Sequence, residues 1–225
     1  MVRISREDRF GLIDPITLVA SAYKRKNYSF FESGQYNLNL FGIRNKTRAV
    51  DAWDDVLGCI YKSSFGPQMN LWAGTTDPGL KYIARPSNAK GVAILKPGQY
   101  PGLWEVGLHK GKTPAFVQRG KVVVYRDNNR DNKLDLAVDE EAGWFGINGH
   151  QAYKKNLELV GPASAGCQVW HSHKDMAQAL DLARWQTSNG LGSTFSYTLF
   201  DAYDDESLQA IIDIFHGNKT RDSIF

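Results

Sequence analysis

Between positions 14 and 26 the apolar residues recur at helical spacing, with Ile16, Val19, Ala20 and Tyr23 on one face. Asp14 stands where an N-cap belongs, and Pro15 where a missing N–H costs nothing. Lys24, Arg25 and Lys26 fill the last turn, where positive charge suits the helix dipole, and the triplet reads as a solvated helix end. From Tyr36 the period falls to two: Tyr36-Asn37-Leu38-Asn39-Leu40-Phe41 alternates and predicts a strand. Further strands are predicted at 56–62, 69–73, 91–95, 103–109, 114–118, 121–126 and 194–200. Turn signals divide them at Asp77-Pro78-Gly79, Lys96-Pro97-Gly98, Lys110-Gly111-Lys112 and Arg119-Gly120. The last of these predicts a hairpin joining 114–118 to 121–126. Helical spacing returns after Ser172, which forms a capping-box pattern with Asp175; Met176, Leu180 and Ala183 follow, and Asn189-Gly190 ends the segment. A final helix is predicted from Asp205 to Phe215, with Leu208, Ile211, Ile212 and Phe215 on one face and Gly217 as its stop. The pattern predicts an α+β chain that is mostly β, with a helix near each end and one after Cys167.

Composition narrows the class. A chain of 225 residues is one domain or at most two small ones, and neither a linker nor an internal repeat divides it. With 42% apolar and 23% charged residues it is an ordinary globular sequence. A net charge of +3 is too small to argue for nucleic acid. The longest clean apolar runs, such as Val122-Val123-Val124-Tyr125, are strand-sized, whereas a membrane span needs roughly 20 apolar residues, so no integral membrane segment is expected. The first residues, Met1-Val2-Arg3-Ile4-Ser5-Arg6-Glu7-Asp8-Arg9, are charged where a signal peptide is apolar, so no secretion signal is expected. Six Trp, ten Tyr, eleven Phe and 21 Gly suit many short strands. The two cysteines, Cys59 and Cys167, build neither a disulfide framework nor a Cys-rich zinc site alone, and both are expected to be thiols.

The chemistry concentrates in Gly146-Ile147-Asn148-Gly149-His150 and Val160-Gly161-Pro162-Ala163-Ser164-Ala165-Gly166-Cys167-Gln168-Val169-Trp170. A thiol attacks a carbonyl only as thiolate, so a catalytic cysteine needs an imidazole or a positive dipole beside it. Small residues before it let backbone N–H groups approach a developing oxyanion. Ser164-Ala165-Gly166-Cys167 supplies such a turn, and His150 a base. The same residues also read as a small buried hydrophobe beside Val169 and Trp170, and a turn histidine after Gly149.

This segment resembles the catalytic signature of the L,D-transpeptidases (the YkuD-type domain), in which a histidine beside a glycine precedes a Ser-His-Gly-Cys turn. Gly149-His150, Gly161 and Ser164-Ala165-Gly166-Cys167 fall in matching order and spacing. A phage and bacterial branch of the fold is resembled more widely, over about 36–202, through Tyr36-Asn37-Leu38-Asn39-Leu40, Thr75-Thr76-Asp77-Pro78-Gly79 and Lys96-Pro97-Gly98-Gln99-Tyr100. The resemblance implies a β-rich catalytic domain at 36–202, between an N-terminal helical segment at 1–35 and a C-terminal helix at 203–225. It implies Cys167 as nucleophile, His150 as base, Ser164 as brace of the turn, and the Gly166 and Cys167 amides as oxyanion donors. Gly149, Ala165, Gln168 and His109 are the implied substrate-side residues. Two positions depart from the family: its histidine before Gly-Cys is Ala165 here, and its arginine two positions after the cysteine is Val169. The implied function is cleavage or transfer of peptidoglycan stem peptides through a Cys167 thioester, hydrolysis being favoured over crosslinking. The implied setting is a host cytoplasm with release to the wall, or a virion. The rivals are an inactive virion or cell-surface structural protein on the same fold, and a cysteine amidase or peptidase with a substrate outside the wall.

No cofactor is required by this chemistry. A structural calcium loop is one reading of Asp127-Asn128-Asn129-Arg130-Asp131-Asn132-Lys133-Leu134-Asp135, where Asp127, Asn129, Asp131 and Asp135 match ligand positions. Glycine is missing at the sixth position and glutamate at the twelfth, and a polar Asx-rich loop is the other reading. His109 ends a predicted strand and reads as an orienter, an alternative base or a surface histidine. His171 and His173 lack a third ligand at a known spacing and read as polar residues starting a helix. Cys59 reads as core, and Trp53, Trp72, Trp104 and Trp144 as core or as sugar-stacking faces.

Overall fold

The computed structural model describes residues 14–217 and the backbone of a short strand, β1 (Val2–Arg3). The rest of the charged N-terminal stretch and residues 218–225 of the C-terminal segment lie outside the described residues. Helix α1 (Pro15–Arg25) leads into strands β2 (Asn39–Arg44), β3 (Asp55–Ser63) and β4 (Gly66–Thr75). A short helix, α2 (Leu80–Ala84), precedes β5 (Val92–Leu95), β6 (Gly98–His109), β7 (Thr113–Gln118), β8 (Val122–Asp127) and β9 (Glu140–Gly143). Then follow β10 (Gly149–Gln151), β11 (Gln168–Trp170), α3 (His173–Ser188), β12 (Thr194–Asp201) and α4 (Glu206–Phe215).

Eight strands close into a barrel in the order β4-β11-β10-β7-β6-β12-β2-β3, with β3 pairing back onto β4 and β1 lying against β4. A three-stranded sheet, β5-β8-β9, stands apart. The mixed α+β, mostly β character expected from the pattern is therefore present. Among the described residues no helix is long and apolar enough to cross a membrane.

The alternation along β2 and β3 divides the core. Leu40, Leu57 and Cys59 join an inner cluster with Trp72, Trp104, Phe116, Trp170 and Tyr197, continued by Met176, Ala179 and Ala183 of α3. Phe41, Ile43, Val56 and Ile60 face the other way and are covered by Val19 and Tyr23 of α1 and Leu208, Ile211 and Ile212 of α4. Burial on both faces is why 56–61 is a continuous apolar run rather than an alternating one, ending at exposed Lys62. Each such Leu, Ile or Phe contributes about 1.5–3 kcal/mol on burial, so the terminal helices are held by their apolar faces. Gly58 is required because a Cβ there would lie 2.3 Å from the Phe41 ring. Trp72 and Trp104 are core, as is Cys59, while Trp53 is partly buried and Trp144 is 59% exposed.

One of the two predicted N-caps forms its bond: Ser172 Oγ accepts from Asp175 N. Asp205, expected as the first residue of the last helix, is instead its N-cap and accepts from Ser207 N. Asp14 caps α1 by position only, its carboxylate taking the Thr17 hydroxyl instead of a backbone N–H. The hairpin predicted at Arg119-Gly120 is corrected. Strand β7 pairs with β6 and β10, whereas β8 pairs with β5 and β9 in the other sheet. A tight hairpin needs positive φ at its central residues. Lys110 (φ 51°) and Gly111 (φ 68°) supply it between β6 and β7, and neither Arg119 nor Gly120 is among the positive-φ residues. Both of their N–H groups turn back to the Leu103 carbonyl as the chain changes sheets.

A polar network is sealed within this fold. Arg44, fully buried, donates from Nε to Asp77 at 2.7 Å and from Nη2 to the Leu95 carbonyl at 3.0 Å. Asp55 accepts from the N–H groups of Asn45 and Thr76 and from the Thr76 hydroxyl, at 2.6–2.7 Å. Burial pushes the Asp77 carboxyl up to about 7 against the pull of Arg44, and the Asp55 carboxyl up to about 6.

Candidate active site

Strands β10 and β11 run parallel, with Gly149 opposite Gln168 and His150 opposite Val169. Parallel neighbours need a crossover of a dozen or more residues, which the stretch between Gln151 and Gln168 provides. By the period of two, Cys167 lies on the same face of this pair as Val169 and His150. Gly149 allows the approach: a Cβ there would lie 3.0 Å from the Trp170 ring and 3.3 Å from Phe116.

The turn before Cys167 is clamped from several sides. Ser164 Oγ donates to the Cys167 carbonyl (2.9 Å) and accepts from Gly166 N (3.1 Å), so it braces the turn. Gly166 has φ +119°, and a Cβ there would sit 2.1 Å from the Ala93 carbonyl, so only glycine fits. The Ser164 carbonyl takes the Gly79 N–H, and Asp51 takes the N–H groups of Leu80 and Gly161. The Asp77-Pro78-Gly79 turn thus supports the turn before Cys167, and a Cβ on Gly79 would strike the Gly161 carbonyl.

A ring nitrogen of His109, one of His150 and the Cys167 sulfur lie within 4.8 Å of one another. The Cys167 thiol, 9% exposed, donates to the Gly146 carbonyl at 3.3 Å. His150 Nδ1 lies 2.8 Å from the Gln151 carbonyl, which only accepts, so Nδ1 carries the proton and Nε2 keeps its lone pair. His109 stacks on His150 with centroids 4.0 Å apart. Asn148 Oδ1 accepts from Gln118 N (2.9 Å), which orients the amide so that Nδ2 donates to His109 Nδ1 (3.0 Å). The two histidines therefore hold opposite tautomers.

Burial governs the electrostatics. Desolvation, then His109 and Lys110, lower the His150 imidazole to about 4, against the Gln151 carbonyl. Desolvation and Lys110 also lower His109. Burial pushes the Cys167 thiol up, although the Asn148 backbone and Lys110 favour its thiolate. The resting pair is a neutral thiol beside a neutral imidazole.

The remaining expected residues are dispersed. Gln168 is fully buried; its amide accepts from the Tyr197 hydroxyl (2.7 Å) and donates to the Thr76 carbonyl (3.3 Å), so it joins the turn to the interior network and does not reach the surface. Ala165 is exposed and lines a cleft of about 440 Å³ with Tyr82, Arg126, Glu141, Trp144 and Phe145. Val169 is buried in a small apolar cluster with Ala152, Val160 and Ala163, a place unsuited to an arginine. Asp127, Asn129, Asp131 and Asp135 serve one another: Asp127 accepts from Asp135 N, Asn129 donates to Asp135 and accepts from Asp131 N, and Asp131 accepts from Lys133 N. His171 and His173 tie down the crossover through the Leu157 and Ala152 carbonyls.

Among the described residues, His109, His150 and Cys167 are the one group of three metal-type ligands. Both Nδ1 atoms are engaged and His109 Nε2 bears a proton, so as hydrogen-bonded the group offers a thiol, one lone pair and one donor. That set suits proton transfer to and from a nucleophile. No protein-family model, curated protein or solved structure matches the chain. Asn148 is the residue that sequence reasoning passed over; its place in Asn148-Gly149-His150 was visible, but its partners Gln118 and His109 come from other strands.

Proposed function

We propose that this chain is a cysteine-dependent acyl-transfer enzyme on an L,D-transpeptidase-like fold, acting on peptidoglycan stem peptides. The observation that carries the reading is the Cys167 sulfur within 4.8 Å of a His150 ring whose Nδ1–H is anchored on the Gln151 carbonyl. In this reading His150 Nε2 takes the thiol proton as Cys167 attacks an amide carbonyl. Because burial holds the thiol in its neutral form, proton transfer accompanies attack rather than preceding it. The tetrahedral intermediate collapses as the His150 proton passes to the leaving amine, giving a thioester. Water or a second amine, deprotonated by His150, then releases the acyl group. The Gly166 N–H is spent on Ser164, so oxyanion stabilisation falls to the Cys167 N–H. The cleft beside Ala165, with exposed Trp144 and the Arg126–Glu141 pair, offers an aromatic face and both charge signs to a glycan-linked peptide.

A second reading, an inactive virion or cell-surface protein, is favoured by one observation: burial pushes the Cys167 thiol up instead of activating it. Digestion of purified sacculi with wild type and Cys167→Ser, read by mass spectrometry, separates the two. Muropeptides released only by the wild type are the expected result, and their masses name the bond and the acceptor. Identical products from both proteins, across sacculi of different stem-peptide chemistry, would sink the enzyme reading.

A further inference from the structure

His109 has no step in the two-residue chemistry above, yet its ring lies 4.0 Å from that of His150 at an interplanar angle of 23°. Its hydrogen bonding is fixed from behind. The Gln118 N–H holds Asn148 Oδ1, so the amide cannot turn over without setting its NH₂ group against another donor. Asn148 Nδ2 then faces His109 Nδ1, which accepts only while it carries no proton. Protonating His109 would place two N–H groups head to head. Lys110, in the turn that follows, opposes a second positive charge at the same place. The groups acting electrostatically on the stack are Lys110 from the β6–β7 turn and the two histidines on one another; Cys167 faces them from the turn before β11.

We propose that His109 is a positioning residue for His150: Asn148 locks its ring in the neutral Nε2–H form, and that ring covers the base from water and faces the imidazolium formed when Cys167 gives up its proton. This rests on the Cys167–His150 reading. When the Cys167 S–H bond breaks, its proton goes to His150 Nε2, the electron pair goes to the forming S–C bond, and one positive charge appears on the His150 ring. A neutral π-face attracts that charge, whereas a protonated neighbour would repel it. Half-buried His109, stacked at 4.0 Å, covers one face of the 6%-exposed His150 ring.

Histidine-selective ¹⁵N NMR titration of the full chain tests this without substrate. Wild type is expected to show His109 neutral with its proton on Nε2, and His150 neutral with its proton on Nδ1. His109→Ala uncovers the base, and the His150 midpoint is expected to rise by about one pH unit or more toward its ordinary value. His109→Phe keeps a ring over the base and removes only the electrostatic part of the lowering, so the midpoint should rise clearly less than in His109→Ala. Asn148→Asp turns the donor facing Nδ1 into an anionic acceptor, and His109 should then take up a proton near neutral pH. A wild-type His109 protonated on Nδ1 would overturn the lock. So would an Asn148→Asp variant in which His109 titrates as before. A His150 midpoint unmoved by His109→Ala, or moved equally by His109→Phe, would overturn the covering role. These results stand whether or not sacculi are digested, so the two proposals fail separately.

Discussion

Two buried polar clusters meet at Gln168, and they use their hydrogen-bonding capacity differently. On the interior side Asp55 accepts three bonds, Arg44 reaches Asp77 and the Leu95 carbonyl, and Tyr197 closes on Gln168 itself. On the other side the Cys167 thiol and His150 Nδ1 each bind one backbone carbonyl, while a ring nitrogen of His150 lies within 4.8 Å of the sulfur. The first cluster uses charge to fix strands; the second holds groups that can exchange a proton. Burial alone does not mark a reactive site: both clusters are buried and both have shifted proton affinities. What separates them is whether a nucleophile and an imidazole with a free lone pair are left close together.

Breaking the interior cluster should have the largest effect. Arg44→Met leaves Asp77 buried without its cation, and loss of one partner from a buried pair costs about 3–5 kcal/mol. The cost has a pH signature. In the variant Asp77 holds its proton in the folded state to a higher pH than the unfolded chain does. The folded state then binds more protons than the unfolded one, and stability falls as pH rises. Denaturant midpoints at pH 5 and pH 8 check this: the gap to wild type should be wider at pH 8, and an equal gap would remove Asp77 from the account.

The Cys167–His150 cluster should respond to pH with the opposite sign. The folded-state affinity of His150 for a proton is lowered to about 4, so between its ordinary range and pH 4 the unfolded chain binds the proton and the folded one does not. Wild type therefore loses stability on acidification through that window, by on the order of 3 kcal/mol from this residue. His150→Gln should flatten the stability difference between pH 7 and pH 4 by that amount. Asp55 and Asp77, raised by burial, act the other way in both proteins, so the comparison between variants isolates the histidine.

Gly166→Ala tests the scaffold between the clusters. The substitution needs a left-handed backbone and places a methyl group against the Ala93 carbonyl. A loss of about 1–3 kcal/mol is expected, with Cys167 alkylation kinetics altered because the turn must move. Unchanged thermal unfolding and unchanged alkylation would show that the turn is not held in this conformation.

How far these clusters were legible in the sequence depends on the range of their contacts. Period and capping chemistry are local, so α1, α3 and α4 and the long strands β3, β4 and β6 could be read from neighbouring residues. Strands β10 and β11 have three residues each, too few to show a period, and they exist only because barrel neighbours pair with them. Cys167 and His150 stood out because their residue types are reactive and lie near one another in the chain. Asn148 and Gln118 are ordinary amides, and the interior cluster draws on Arg44, Asp55, Asp77, Gln168 and Tyr197 from distant elements. Nothing local in the sequence marks such partners. The Arg119-Gly120 error has the same origin: a dipeptide suggests a turn, but which sheet receives the next strand is decided by long-range pairing.

The smallest structural effect should come from the residue on which the proposed chemistry rests. Cys167 is a small side chain with one hydrogen bond, to the Gly146 carbonyl, at the edge of a small apolar cluster. Cys167→Ala removes one sulfur from a site where the clamps on the turn come from Ser164, Gly79 and Asp51 instead. A change in stability of about 1 kcal/mol or less follows, readable as a small shift in the thermal midpoint. The same substitution should abolish every Cys167-dependent product from sacculi. A large loss of stability would place Cys167 with the interior cluster as a structural residue. A silent variant in both assays would deny it either role and return the reactive group to an ordinary core position.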